Sequence, residues 1–340
     1  MLLQNTEQGL YCQAGGFHVD PWQGVEVAVV THAHSDHARP GSRLYLTEAG
    51  GEAVLRERLG PNARIQTLRY GERLSRDGVA LSLHPAGHIL GSAQVRIEHR
   101  GEVCVVSGDY KLENDGTCQP FEPVPCQTFV TESTFGLPIY HWRPQADVFG
   151  EIHDWWRENQ ARTRTSVVFC YALGKAQRLL HGLSADCGPI ILHGTIERYL
   201  PAYRAAGVVF PQTTMADSET VKLAAGRSLV LAPVSAMNSP WLRRFGDIST
   251  GFASGWMQIR GTRRRRSLDR GFVLSDHADW QGILSTIEMT GAETVWVTHG
   301  YTHPLARWLR ERGQKAEALE TRFLEELPEE TPSPPPGGSA

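Results

Sequence analysis

His32-Ala33-His34-Ser35-Asp36-His37 places four potential metal ligands within six residues. An apolar, β-branched run at 25–30 leads directly into it and Pro40-Gly41 follows, so the stretch reads as a loop leaving a strand. Side chains alternate in extended backbone, which points His32 and His34 to one side. Asp36 and His37 are then able to turn towards a second ion. Imidazole and carboxylate suit zinc, manganese or iron, and the lack of thiolates argues against a structural cysteine-type zinc site. Three histidines and an aspartate at this spacing are read as a metal centre rather than as solvated surface residues.

Other strand-like runs also end in chemically capable loops. The run at 102–106 leads into Ser107-Gly108-Asp109, and 128–130 into Thr131-Glu132-Ser133-Thr134. The run at 166–170 leads into Tyr171-Ala172-Leu173-Gly174-Lys175. Those at 271–274 and 294–297 lead into Ser275-Asp276-His277 and Thr298-His299-Gly300. In layered α/β folds such loops gather at one end of a sheet and build the site there. Helical patterns fall between them at 175–183, 281–290 and 304–312; Gly291 supplies a stop for the second.

The chain has 340 residues, enough for one large or two moderate domains. Its apolar fraction of 41% and charged fraction of 21% are those of a globular protein. No apolar run approaches the roughly 20 residues of a membrane span, and no secretory signal stands at the N-terminus. The six scattered cysteines read as reduced thiols of a cytoplasmic protein. Residues 328–340, rich in Pro, Gly, Ser and Glu, read as a disordered tail.

The net charge of −3 conceals a division. Residues 151–270 carry 17 Lys and Arg against 9 Asp and Glu, whereas the rest carries 17 against 28. A basic block inside an acidic chain suggests a separate module with a polyanionic partner. Within it, Gly174-Lys175 sits where a strand passes into a helix, a position suited to holding a phosphate. Arg260 and Arg263-Arg264-Arg265-Arg266 form a cluster whose guanidinium forks suit phosphates and exposed bases. Trp155, Trp156, Trp241 and Trp256 are candidates for base stacking, although core packing is the expectation for each.

The opening hexapeptide resembles the HxHxDH signature of the metallo-β-lactamase superfamily, and further elements follow in the family's order. Asp20 resembles the early aspartate that props the histidine loop, His88 in Gly87-His88-Ile89 the next ligand, and Asp109 the carboxylate shared by two ions. The resemblance implies one ion on His32, His34, His88 and Asp109, and another on Asp36, His37, Asp109 and His299. Glu132 and His277 resemble the acidic and histidine elements of the β-CASP nucleic-acid-processing branch. That likeness implies that His277 contacts phosphate and protonates the leaving oxygen while Glu132 holds its imidazole. Asp36 is placed with Asp20, Glu132 and His277 among the residues serving catalysis.

Stretches such as Ser239-Pro240-Trp241-Leu242-Arg243-Arg244-Phe245 and Ser254-Gly255-Trp256-Met257 are most similar to the bacterial ligase-associated DNA exonuclease family. The implied fold is α/β, a metallo-β-lactamase αββα sandwich with an inserted β-CASP domain. Its expected divisions are 1–149, an insert at 150–268, a return at 269–327, and the tail. The implied activity is phosphodiester hydrolysis by a water activated between two divalent ions, zinc first and manganese as alternative. The implied substrate is DNA, single-stranded or with a free end, in repair beside a DNA ligase and a helicase, with no membrane involved. RNA is the alternative, because His299 matches the RNA-processing members and the eukaryotic crosslink-repair nucleases usually lack that histidine. A catalytically dead nucleic-acid-binding scaffold is disfavoured by the filled ligand positions. A small-molecule lactamase or thioesterase is disfavoured by the basic insert.

Overall fold

The structure is a computed structural model, in which residues 2–259 and 268–321 are described. Arg260, the Arg263-Arg264-Arg265-Arg266 cluster and the proposed tail at 328–340 lie outside the described residues. The described residues form three sheets. The first contains β1 (Gln4–Thr6), β2 (Gly9–Cys12), β3 (Phe17–Val19), β4 (Val27–Val29), β5 (Leu44–Glu48) and β6 (Ile65–Leu68), paired in that order. The second contains β7 (Arg73–Arg76), β8 (Val79–Pro85), β9 (Ala93–His99), β10 (Glu102–Val106), β11 (Thr128–Ser133), β18 (Thr294–Gly300) and β19 (Lys315–Ala318). Its spatial order is β19-β18-β11-β10-β9-β8-β7. The turn from β7 to β8 uses Asp77-Gly78, both with positive φ (49° and 82°), as a two-residue hairpin turn demands.

These two sheets face each other. Leu10, Phe17, Val19, Val29 and Leu46 of the first pack against Leu81, Leu83, Val95, Ile97, Val106, Val130 and Trp296 of the second. The outer face of the second sheet is covered by helices Trp280–Thr290 and Thr302–Arg310, through Ile283, Ile287, Leu305 and Leu309. The latter helix begins at Thr302, two residues ahead of the start read from sequence, because Pro304 is tolerated in a first turn. Helix Glu52–Leu59 applies Val54 and Leu55 to the outer face of the first sheet beside Ala28, Val30 and Tyr45.

The third sheet holds β12 (Thr165–Cys170), β13 (Ile190–Leu192), β14 (Thr213–Met215), β15 (Leu229–Pro233), β16 (Ile248–Ala253) and β17 (Arg270–Phe272). All its pairings are parallel, in the order β14-β13-β15-β12-β16-β17. Strands β12 and β15 are buried along their whole length, which explains their continuous apolar runs. Helices Gln145–Ala161 and Lys175–Gly182 cover one face through Val148, Ile152, Trp156, Leu179 and Leu180. The elements of this layer therefore reach from Gln145 to Phe272, a wider span than charge marked out. Its core is continuous with Ala28, Val30, Tyr45, Val54, Leu55 and Ile89 of the first body, the one built on the first two sheets. No helix among the described residues is long and apolar enough to cross a membrane.

Trp156 is fully buried and its indole donates to the Arg227 carbonyl at 2.9 Å. Trp156→Ala is expected to destabilise the fold by about 3–5 kcal/mol, the usual cost of emptying such a site. Chemical denaturation measures it, and a loss below about 1 kcal/mol would mean that the third layer does not depend on this core.

Candidate metal centre

Strand β3 is followed directly by Asp20, whose φ is 44° and whose carboxylate bonds the loop that leaves β4. Asp20 accepts from the Thr31 amide at 2.8 Å, from Thr31 Oγ1 at 2.6 Å and from His37 Nδ1 at 2.7 Å. These bonds determine the course of 31–37 and turn His37 Nε2 towards Asp109 Oδ2, 3.4 Å away. His32 rests its Nδ1 on Thr31 Oγ1 at 3.0 Å and brings Nε2 to 3.4 Å from the same Asp109 oxygen. Asp109 itself follows β10. His88 follows β8, in a turn where Ser92 Oγ accepts from the His88 and Ile89 amides.

Ring orientations are set from behind. His88 Nδ1 bonds the Asp276 carbonyl at 2.8 Å, and His34 Nε2 bonds the Leu173 carbonyl at 3.2 Å. Their other nitrogens, His88 Nε2 and His34 Nδ1, meet at 3.1 Å. One donor atom from each of His32, His34, His88 and Asp109 falls within 4.8 Å of the others. Asp36, His37 and His299 make a second such group, with His299 stacked on His37 at 4.8 Å and 4°. His299 stands at the end of β18 with φ 51°.

Burial and crowding shape the protonation of these groups. Burial, with His37 nearby, pulls His32 down to about 4. His88 is drawn well below the usual imidazole range by burial and by His277, His32 and His34. His37 moves the other way: burial opposes its charge, but Asp109, Asp36 and Asp20 outweigh it. Asp109 and Asp36 are lowered despite burial, chiefly by His37. Asp109 Oδ1 is buried without a hydrogen-bond partner among the described residues. Clustered imidazoles and carboxylates with an orphaned oxygen fit a pair of divalent cations, because cations satisfy acceptors that protons here do not.

Beside this cluster His277 Nδ1 meets Glu132 Oε2 at 2.9 Å, and Glu132 Oε1 accepts from the Tyr110 amide at 2.7 Å. Trp142 Nε1 donates to the His277 carbonyl at 2.8 Å. Asp36, Asp109, His277 and His299 line a cleft of about 320 Å³ whose mouth includes Thr134, Trp256, Tyr301 and His303. Among the four tryptophans, Trp155 and Trp156 are core, Trp241 packs on Phe245, and Trp256 alone reaches this cleft.

The phosphate-holding role read for Gly174 and Lys175 needs correction. Lys175 is 1% exposed and ion-paired with Asp276, and the Gly174 amide donates to Gln177 Oε1 at 2.7 Å. Neither group is presented to solvent. The turn faces the metal centre, which a local strand-to-helix pattern does not disclose. Also unforeseen were the Leu173 carbonyl, the Arg178–Asp115 ion pair at 2.9 Å and Lys111. Asp276 stood beside a named histidine in the sequence, but a backbone carbonyl leaves no sequence signal.

No family model matches the chain. It is 34% identical over 315 residues to a probable DNA ligase of Opitutus terrae, covering 92% of this chain and 30% of that one. It is 28% identical over 208 residues to ribonuclease TTHA0252 of Thermus thermophilus, covering 52% of this chain and 48% of that one. It is 27% identical over 121 residues to cleavage and polyadenylation specificity factor subunit 3 of Dictyostelium discoideum, covering 34% and 15%. The chain thus spans less than half the length of each of these relatives. In architecture it resembles a crystal structure of a protein of unknown function from Enterococcus faecalis V583, with TM-score 0.57 and 12% identity, covering 88% of this chain and 80% of that one.

Lys111, 3% exposed, is brought down to about 8 by burial and by Arg178, with Glu113 3.5 Å away in partial compensation. Its folded value lies below the ordinary 10.5, so the unfolded chain holds this proton more tightly. Native stability from this group is therefore lost as pH falls from 10.5 through about 8. Lys111→Met removes that dependence. Unfolding curves of the variant and parent should diverge in the variant's favour between pH 10 and pH 7, and a constant difference would contradict the assignment.

Proposed function

We propose that this chain hydrolyses phosphodiester bonds of nucleic acid, acting on DNA from a free end, with two divalent ions held by its histidines and aspartates. The supporting observation is convergence: His32, His34, Asp36, His37, His88, Asp109 and His299 meet beside the Glu132–His277 pair at one cleft. His32, His34, His88 and Asp109 would hold one ion, and Asp36, His37 and His299 the other, with Asp109 between them. Zinc suits these donors, and manganese is the alternative. When bound, two such ions supply Lewis acidity to a phosphoryl oxygen and make water nucleophilic near neutral pH.

The protein's own groups do the rest. Asp20 fixes His37 through Nδ1 and so keeps Nε2 turned to Asp109. Glu132 holds His277 through Nδ1, which assigns Nε2 to proton exchange with the leaving oxygen. Trp256 and Tyr301 at the cleft mouth offer aromatic surface to a terminal base. Arg260, Arg263, Arg264, Arg265 and Arg266, outside the described residues, would supply guanidinium groups for phosphate contact.

DNA is favoured by the likeness that takes in 92% of this chain and part of a probable DNA ligase. Joining requires trimmed ends, so an end-directed nuclease is a natural companion to such an enzyme. Function beside a ligase and a helicase, in the cytoplasm and in repair, is part of this reading. RNA is the second reading, favoured by the likeness to ribonuclease TTHA0252 and by the presence of His299.

Metal-stripped protein resupplied with manganese or zinc, and given single-stranded DNA and matching RNA labelled at either end, tests both readings. Stepwise loss from one DNA end with RNA spared is expected; preferred cutting of RNA, which alone offers a 2′-OH, would favour the second. Asp36→Ala or His37→Ala should abolish cleavage while leaving nucleic-acid binding largely intact, and full activity in either variant would refute the two-ion mechanism. Replacing Arg263, Arg264, Arg265 and Arg266 by Ser should weaken binding and flatten its salt dependence in a filter-binding titration. An unchanged slope would show that the cluster points away from the substrate.

A further inference from the structure

The third layer does more than flank the metal centre, because one of the bonds that orient metal-facing imidazoles originates in it and a second comes from Asp276, which is ion-paired to it. Its turn after β12, Leu173-Gly174-Lys175, lies directly on the first body. Gly174 has φ +84°, and a Cβ there would stand 2.3 Å from Ile89 Cγ2, in the turn that carries His88. From this turn the Leu173 carbonyl accepts from His34 Nε2 at 3.2 Å. The next residue but one, Lys175, pairs with Asp276, each only 1% exposed. Asp276 in turn offers its carbonyl to His88 Nδ1 at 2.8 Å.

An imidazole binds a cation through one nitrogen, and the hydrogen bond at the other selects the tautomer and the ring plane. Leu173 leaves Nδ1 of His34 as the ligating nitrogen, and Asp276 leaves Nε2 of His88. These two nitrogens are the pair that meet at 3.1 Å. The corresponding supports for His32 and His37, Thr31 and Asp20, come from the first body. One cation position thus depends on the third layer and the other does not.

We propose that Lys175 is a positioning residue for the cation position formed by His32, His34, His88 and Asp109, acting through its ion pair with Asp276. The third layer is on this view a structural half of that position, as well as a candidate nucleic-acid surface. The inference rests on the reading of these residues as metal ligands.

Lys175→Met strands the Asp276 carboxylate in the interior and endangers folding, so the double variant Lys175→Met/Asp276→Asn accompanies it, removing both charges of the pair. Metal-free protein is titrated with manganese and zinc against a chromogenic chelator, and the melting temperature of the metal-free form is read by circular dichroism. His34→Ala and Asp36→Ala serve as references for the two positions. The expected result is that the double variant melts near the parent but binds one of two equivalents roughly 10–100-fold more weakly, the usual penalty for losing such an orienting partner. The second equivalent, lost in Asp36→Ala, stays at the parent affinity. Parent-like binding of both equivalents by the double variant, with one lost in His34→Ala, would overturn this proposal alone. Two intact equivalents in His34→Ala would overturn the metal assignment beneath it.

Discussion

The buried carboxylate of Asp20 accepts three hydrogen bonds, two from Thr31 and one from His37, and the geometry of the centre depends on them. A charged acceptor of this kind contributes roughly 1.5–3 kcal/mol per bond, which offsets the several kcal/mol lost on taking a carboxylate out of water. The return is positional. Once the Thr31 amide and the His37 ring are anchored on one residue at the end of β3, the loop between them has little freedom. His32 and His37 are then obliged to converge on Asp109 Oδ2, each at 3.4 Å.

Around that anchor the fold sustains an arrangement that is electrostatically unfavourable by itself. Burial, with imidazoles crowding one another, drives His32 and His88 below their ordinary range, and Asp109 keeps an oxygen with no hydrogen-bond partner among the described residues. Loops alone would relax such a cluster. Here its members are carried at the ends of β4, β8, β10 and β18, strands with apolar cores on both faces or between facing sheets. The third layer closes the remaining side through an apolar cluster that joins Ala28, Val30 and Ile89 to Leu173, Ala176 and Leu180. Rigidity of the surroundings, rather than attraction among the clustered groups, keeps the site assembled.

The revised place of Lys175 shows how such a fold misleads local reading. A glycine between a buried strand and a helix is a common phosphate cradle when it opens to solvent. The same backbone pattern, pressed against Ile89 and closed over Asp276, becomes an interior brace. Arg178, likewise buried, counted in the sequence towards the basic block at 151–270. Net positive charge of a segment therefore overstates the surface it offers to a polyanion.

Much of the site was legible beforehand because its side chains are chemically rare and closely spaced. His32, His34, Asp36 and His37 stand out as a candidate metal loop by type and spacing alone, and the apolar runs before them and before Asp109, Glu132 and His299 mark the strands that carry them. Helix 281–290 was legible from its periodicity and the stop at Gly291, and 175–183 from the glycine before it, and both form within one residue of those limits. What the sequence left open is everything that depends on which nitrogen of a ring is engaged and by whom. The tautomers of His34 and His88 are set by carbonyls at Leu173 and Asp276, residues 139 and 188 positions away along the chain. Every residue has a carbonyl, so composition and spacing cannot single these out; only tertiary packing decides which ones arrive.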